Sequence, residues 1–236
     1  MKHPISALAV ASIVLVLSFS PVAAQEQVTE TQKVHSHLFP EYKSGRNIRE
    51  LTSRGSGNVV VVKSVIPIAM GGGGVNVRSP SGNAYLDYMS SRADAVVIGT
   101  LKNKSSQLTD DGEFLFTDYV VVVNSVAKSP SIAPDSEIIV TRGGGEILLN
   151  GRTVRAIDPF FKPFQLGQSY ILFLKLVPET GAFKADATGS FHIVGDKVVF
   201  LTNHPLYVFN GIENDYRVFW DNVLASVKAT GMEETR

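Results

Sequence analysis

Residues 95–127 read AVVIGTLKNKSSQLTDDGEFLFTDYVVVVNSVA, and this stretch decides the fold. Ala95 to Leu101 (AVVIGTL) is apolar and β-branched enough for a strand, and Glu113 to Ala127 (EFLFTDYVVVVNSVA) makes a second, longer one. Between them lies Thr109-Asp110-Asp111-Gly112. Asp and Gly tolerate the left-handed backbone that a tight reversal needs, so the chain is expected to turn back on itself there as a hairpin.

The same grammar continues downstream. Pro130 and Pro134 close the long run, Ser136 to Arg142 (SEIIVTR) reads as a third strand, and Gly143-Gly144-Gly145 ends it. Asn150-Gly151, set between Leu148-Leu149 and Thr153-Val154, is a strong two-residue hairpin signal within Glu146 to Ile157. Ser169 to Val177 (SYILFLKLV) reads as a core strand, and Phe191 to Leu201 folds over a two-residue turn at Gly195-Asp196. Short strands at close spacing with glycine turns predict a mainly β chain, an OB-like or Greek-key barrel of about five to seven strands over residues 93–212.

Around that block the pattern changes. Residues 25–57 are polar and aperiodic and read as a flexible leader. Residues 58–92 begin with a strand at Asn58 to Ile68 (NVVVVKSVIPI), are broken by a glycine-rich link at Met70 to Gly74, and end in a short helix through Tyr85, Leu86, Tyr88 and Met89 behind a Pro80-Ser81-Gly82-Asn83 cap. At the other end, Tyr216, Phe219, Trp220, Val223, Leu224 and Val227 recur at steps of three and four. They predict an amphipathic helix over residues 213–230, opened by Asn214 or Asp215, closed by Gly231 and docked on the barrel with Trp220 in the contact.

Three segments carry a family resemblance: Ala93 to Thr100 (ADAVVIGT), Thr117 to Val122 (TDYVVV), and above all Phe164 to Leu174 (FQLGQSYILFL). The pattern resembles small secreted bacterial β-barrel domains of oligonucleotide/oligosaccharide-binding (OB) type, distantly similar to netrin-like modules. It covers under half the chain. What it implies is a five-stranded barrel with no binding face assigned; netrin-like modules are disulfide-linked, and this chain has no Cys.

Met1 to Ala24 bears on where such a barrel would work. Lys2 and His3 precede an apolar run from Ala7 to Phe19, and Val22-Ala23-Ala24 forms a small-residue cleavage site, the order of a secretory signal peptide. The run is shorter than the ~20 residues a spanning helix needs, so no membrane span is expected once it is cleaved; a retained anchor is the bland alternative. The absence of Cys fits a periplasmic or extracellular bacterial domain whose core is large enough without staples. Ten Lys and Arg stand against twelve Asp and Glu between Asp94 and Leu201, so no basic stripe is available for tracking phosphates, and nucleic acid is not an expected partner.

The search for chemistry yields little. His35-Ser36-His37 has no further ligands at metal spacing, and Asp110, Asp111 and Glu113 lack the alternation of a calcium loop while already serving a turn, so no metal and no cofactor are expected. Gly71 to Gly74 and Gly143 to Gly145 lack phosphate-loop spacing. Ser79, Ser81, Ser90 and Ser91 sit in no nucleophile elbow, His192 reads as a half-buried strand residue and His204 lies beside a turn proline, so no catalytic residue is assigned. Pro159 to Phe164 (PFFKPF) is the most pointed cluster: Phe160, Phe161 and Phe164 form either an exposed contact patch or a lid folded onto the core, with the lid preferred because three exposed phenylalanines invite aggregation. The expectation is an exported, non-catalytic binding domain for an envelope protein or glycan. The alternatives are a small envelope hydrolase using Asp110, Asp111, Glu113 or His192, and a structural envelope protein without a ligand.

Overall fold

The structure, a computed structural model, describes residues 29–40, 46–54, 57–63, 82–129, 131–202 and 214–233. In chain order these form α1 (Glu30–Ser36), α2 (Ile48–Arg54), β1 (Val59–Lys63), α3 (Gly82–Arg92), β2 (Ala95–Leu108), β3 (Leu115–Lys128), β4 (Glu137–Gly143), β5 (Gly145–Leu149), β6 (Arg152–Ile157), β7 (Ser169–Val177), β8 (Ala182–Val194), β9 (Lys197–Phe200) and α4 (Tyr216–Glu233). Residues 1–24, read as a signal peptide, the glycine-rich link, Ser79, Ser81 and His204 lie outside the described residues.

The hairpin read from residues 95–127 forms as β2 and β3, antiparallel, and seeds a six-stranded antiparallel sheet of order β4-β3-β2-β7-β8-β9. In addition β4 pairs in parallel with β8 at Val140↔Phe183 and Thr141↔Lys184. β2 and β3 slip register at three points, one of them between Ile98 and Gly99. Gly99 is required there, because a Cβ would strike Val121 Cγ1 and come within 3.1 Å of Val122 O. A smaller sheet, β1-β6-β5, has β1 parallel to β6 and β5 antiparallel to it. Its hairpin turns at Asn150 and Gly151 with φ of 51° and 72°, both positive, as a type I′ turn demands.

Period-two alternation sorts the core into two faces. On β2 and β7, Val97, Leu101, Tyr170 and Leu172 point into one cluster with Tyr119, Val121, Val140 and Phe183. Their neighbours Val96, Ile98, Ile171 and Phe173 point the other way, where α3 (Tyr85, Leu86) and α4 (Phe219, Val223) cover them. A third cluster joins β1 and β6 to Phe114, Leu115 and Phe116 of the hairpin. Each such large apolar side chain taken from water contributes about 1.5–3 kcal/mol, so the two helices are held by burial rather than by their own propensity.

Two expectations need correcting. The stretch over residues 25–57 is not a featureless leader: Thr29 Oγ1 caps α1 by accepting from Gln32 N at 3.1 Å, and His35, Ser36, Phe39 and Ile48 are buried. Seven-residue helices have no stripe long enough to register as a period; they form because they dock. In α4 Phe219 and Val223 are fully covered and Trp220, half-buried, packs against the same cluster as expected, while Leu224 is exposed. Asp215 Oδ1 accepts from Arg217 N and Val218 N, so Asp215 is the cap, and Gly231 lies inside the helix rather than closing it.

Candidate functional site

The alternation Ile138-Val140-Arg142 on β4 continues an inward-facing row, with Ile138 and Val140 in the core and Arg142 also buried, 4% exposed. A guanidinium in that place must be saturated with acceptors. Arg142 Nε donates to Gly143 O at 3.2 Å, Nη1 to Lys162 O at 2.7 Å and Nη2 to Phe161 O at 3.1 Å. Its plane lies 3.6 Å from the centre of the Phe161 ring and 5.2 Å from that of Phe164, a cation–π stack in a desolvated setting.

This arginine therefore organises the phenylalanine loop. Phe161 and Phe164 are buried, Phe164 lying 4.9 Å from the Tyr170 ring and 5.2 Å from Tyr119, while Phe160 is half-buried. Of the three residues weighed as a contact patch, two thus face the core. Lys162 N donates to Leu201 O at 2.8 Å and Phe160 N to Asp158 Oδ1 at 2.8 Å, fixing both ends of the loop.

Between the loop, the β2-β3-β4 rim and the β5-β6 hairpin opens a cleft of about 340 Å³. Lys104, Ser106, Thr117, Tyr119, Arg142 and Arg155 are the polar side chains that give it its character, with Glu146 and Asp158 as the acids and Gly144 and Gly145 at the turn. Arg155 Nε and Nη2 both reach Glu146 Oε2, at 2.7 and 2.6 Å, so that acid is matched. Thr117 Oγ1 lies 2.8 Å from Ser106 Oγ and donates to Gly144 O at 2.6 Å. Gly145 sits at φ 147°, and a Cβ there would strike Thr117 Oγ1 and come within 2.7 Å of Ser106 Oγ. Burial pushes the Tyr119 phenol above its usual range, and the positive field of Arg142 partly offsets the shift. A second, smaller cleft of about 160 Å³ lies where Tyr88, Met89 and Arg92 of α3 meet Phe173, Lys175 and Asp186.

The groups weighed for catalysis are not brought together. Asp110, Asp111 and Glu113 build the β2–β3 turn: Asp111 Oδ1 accepts from Thr109 Oγ1 and from Glu113 N, and Asp110 N donates to Ser36 Oγ. His192 is on β8, stacked on Tyr170 at 4.9 Å and 3.3 Å from Gln168 Oε1, its pKa lowered by burial. None of these four residues lines either cleft. Among the described residues no cluster of three or more His, Asp or Glu could hold a metal ion.

His35, weighed from the sequence only as half of a metal-binding pair, has a different place in the structure. Its ring is wholly buried, with Nδ1 2.9 Å from Asp118 Oδ1 on β3 and Nε2 3.0 Å from Thr180 Oγ1 in the β7–β8 turn. Its partners lie 83 and 145 positions away, which no spacing argument reaches. Arg142 was more accessible, since an arginine in the inward register of a strand is itself a signal. Compared with known proteins, the chain matches no family model and no curated sequence. No described helix is long and apolar enough to cross a membrane.

Proposed function

We propose that this chain is an exported, non-catalytic binding domain of the bacterial cell envelope, built on an OB-like barrel, with the Arg142 cleft as its site. Export rests on the charged start, apolar core and small-residue cleavage site of residues 1–24. In support of the barrel, the pairings run in a ring, β2 to β3, β3 to β4, β4 to β8, β8 to β7 and β7 back to β2, with β4–β8 the parallel link. The observation that carries the binding reading is the cleft itself: a preformed hollow of about 340 Å³ whose polar lining is oriented by a clamped arginine and a glycine turn.

The test is a steric block that keeps the charge. Ile157 lines the cleft and is 37% exposed on a strand, so Ile157→Trp fills the opening without emptying the core. Envelope components retained by the wild-type protein should be lost by Ile157→Trp at unchanged thermal stability; equal retention by both would remove the cleft from the proposal.

A small envelope hydrolase is favoured by one observation, the carboxylate–imidazole–hydroxyl order Asp118–His35–Thr180, which is the arrangement of an activated nucleophile. Thr180 lines neither cleft. Hydrolysis of an envelope peptide or glycan that disappears in Thr180→Val would establish this reading, and unchanged turnover would sink it.

A further inference from the structure

We propose that the Arg142 cleft takes a ligand through an oxyanion, a carboxylate or a phosphate, with Lys104 meeting it at the mouth and the buried Arg142 adding a fixed positive field from beneath. This deepens the binding reading and rests on it.

The charge balance of the lining comes first. Lys104, Arg142 and Arg155 face Glu146 and Asp158, and Arg155 with Glu146 cancels as a close pair. Asp158 Oδ1 accepts the Phe160 N–H at the loop beneath and keeps its negative charge, so the lining is left with a single positive charge in excess. Lys104 is exposed and makes no ion pair among the described residues, so its ammonium is available at the mouth. Arg142 is buried and locked by three carbonyls and an aromatic face, so its field is fixed in direction and is not averaged by side-chain motion. A fixed cation in a low-dielectric wall attracts an anion more strongly than one moving in water.

The aromatic lining argues against the rival chemistry. Tyr119, Phe161 and Phe164 are 5%, 2% and 4% exposed, so no ring face is offered for stacking on a neutral sugar. What the cleft presents to a ligand is the Lys104 ammonium over a largely apolar lining, in which the Thr117 hydroxyl proton goes to Gly144 O and the Ser106 proton to Thr117 Oγ1, so charge rather than a hydroxyl floor selects the oxyanion. Gly145 keeps the lining open, because any side chain there would run into both hydroxyls.

The probes are inorganic phosphate, D-glucuronate and, as neutral control, D-glucose, titrated into the isotopically labelled full chain at low ionic strength while the amide signals of Thr117, Gly144 and Gly145 are followed. Phosphate and glucuronate should each move those signals saturably; whichever binds more tightly identifies the source of the oxyanion. Glucose should leave them unmoved. Added salt should weaken both anions, and the charge reversal Lys104→Glu, at an exposed position that does not threaten folding, should weaken them about tenfold. Glucose binding as well as glucuronate, or anion binding indifferent to Lys104→Glu, overturns the inference. If neither anion binds while envelope capture is still lost in Ile157→Trp, the oxyanion fails and the cleft survives as a site. If the anions bind as described but capture ignores Ile157→Trp, the oxyanion site stands and the envelope reading fails.

Discussion

Replacing His35 by alanine tests whether the N-terminal helix is part of the fold or merely rests on it. A carboxylate only accepts, so Nδ1 carries the proton facing Asp118, and in the neutral ring Nε2 accepts from the Thr180 hydroxyl. Removing the ring deletes both bonds, empties a fully buried site whose edge packs 6.0 Å from Phe116, and leaves Asp118, with a 13% exposed side chain, short of a donor. A hydrogen bond to a charged group contributes about 1.5–3 kcal/mol and a neutral one about 1, so the loss should total on the order of 3 kcal/mol.

That cost should fall locally first, because α1 is a seven-residue helix with few other ties: the Phe39 ring that follows it stacks on Phe116, and the rest are polar, Gln32 Nε2 to Leu108 O, Lys184 Nζ to Leu38 O and Asp110 N to Ser36 Oγ. Hydrogen exchange is the assay. At 1.36 kcal/mol per tenfold, the amides of Lys33, His37 and Leu38, bonded to Thr29 O, Val34 O and His35 O, should exchange about a hundred times faster in His35→Ala. His37→Ala is the control: its side chain is 68% exposed and lies 3.5 Å from Asp110, so its loss should change stability by under about 0.5 kcal/mol. Equal exchange in the two variants would refute the argument that buried polar ties, rather than helix propensity, hold α1 in place.

Phe219→Ala should cost roughly 3–5 kcal/mol in denaturant melts, because Phe219 is fully covered and its ring is 5.0 Å from Phe191, whereas Trp220→Ala, half-buried, should cost roughly 1–2 kcal/mol; a larger loss at Trp220 would put the docking face of α4 elsewhere. His192 should titrate below its usual 6.5 by NMR, since burial disfavours its charged form. Its folded pKa being lowered, its contribution is complete above 6.5 and is lost as pH falls through the folded value, so His192→Gln should flatten the stability curve in that window alone. Thermal melting should ignore reductant, there being no Cys, and should ignore chelator; a fall with chelator would revive the acidic turn as a cation site.

How far the fold could be read depended on the range of the forces that set it. Hairpins are local: Asn150-Gly151 and Gly195-Asp196 fix their own turns, with Leu149↔Arg152 and Val194↔Lys197 as the flanking pairs, and the sequence marks them without help from the rest of the chain. The β7 strand and the Asp215 cap were legible for the same reason. The strand at Ala182 was not, because its first half, AFKADATGS, alternates poorly and is recruited by β7 and β4 from either side. The α4 stripe was legible too, with Phe219 and Val223 covered and Trp220 packed beside them; a stripe gives a direction to within about one residue step, and Leu224 falls outside the contact.

The site resisted sequence reasoning for a stronger reason: its important residues are defined by who surrounds them. Arg142 looks like the polar end of SEIIVTR, and only the parity of the strand hints that it points inward. What makes it a site residue is the pair of carbonyls at Phe161 and Lys162, and those carbonyls face it only because the loop is pinned by Asp158, by Leu201 and by Phe164 packed on Tyr170. The loop, for which a lid on the core was preferred to an exposed patch, is therefore also the wall that holds the Arg142 guanidinium beside the cleft. Phe161 and Phe164 act beneath the surface as a low-dielectric support, which raises the field of the Arg142 charge they carry more than their own exposure would contribute to binding. Variants at Phe161 should therefore lose both loop order and anion affinity together, whereas variants at Lys104 should lose affinity alone.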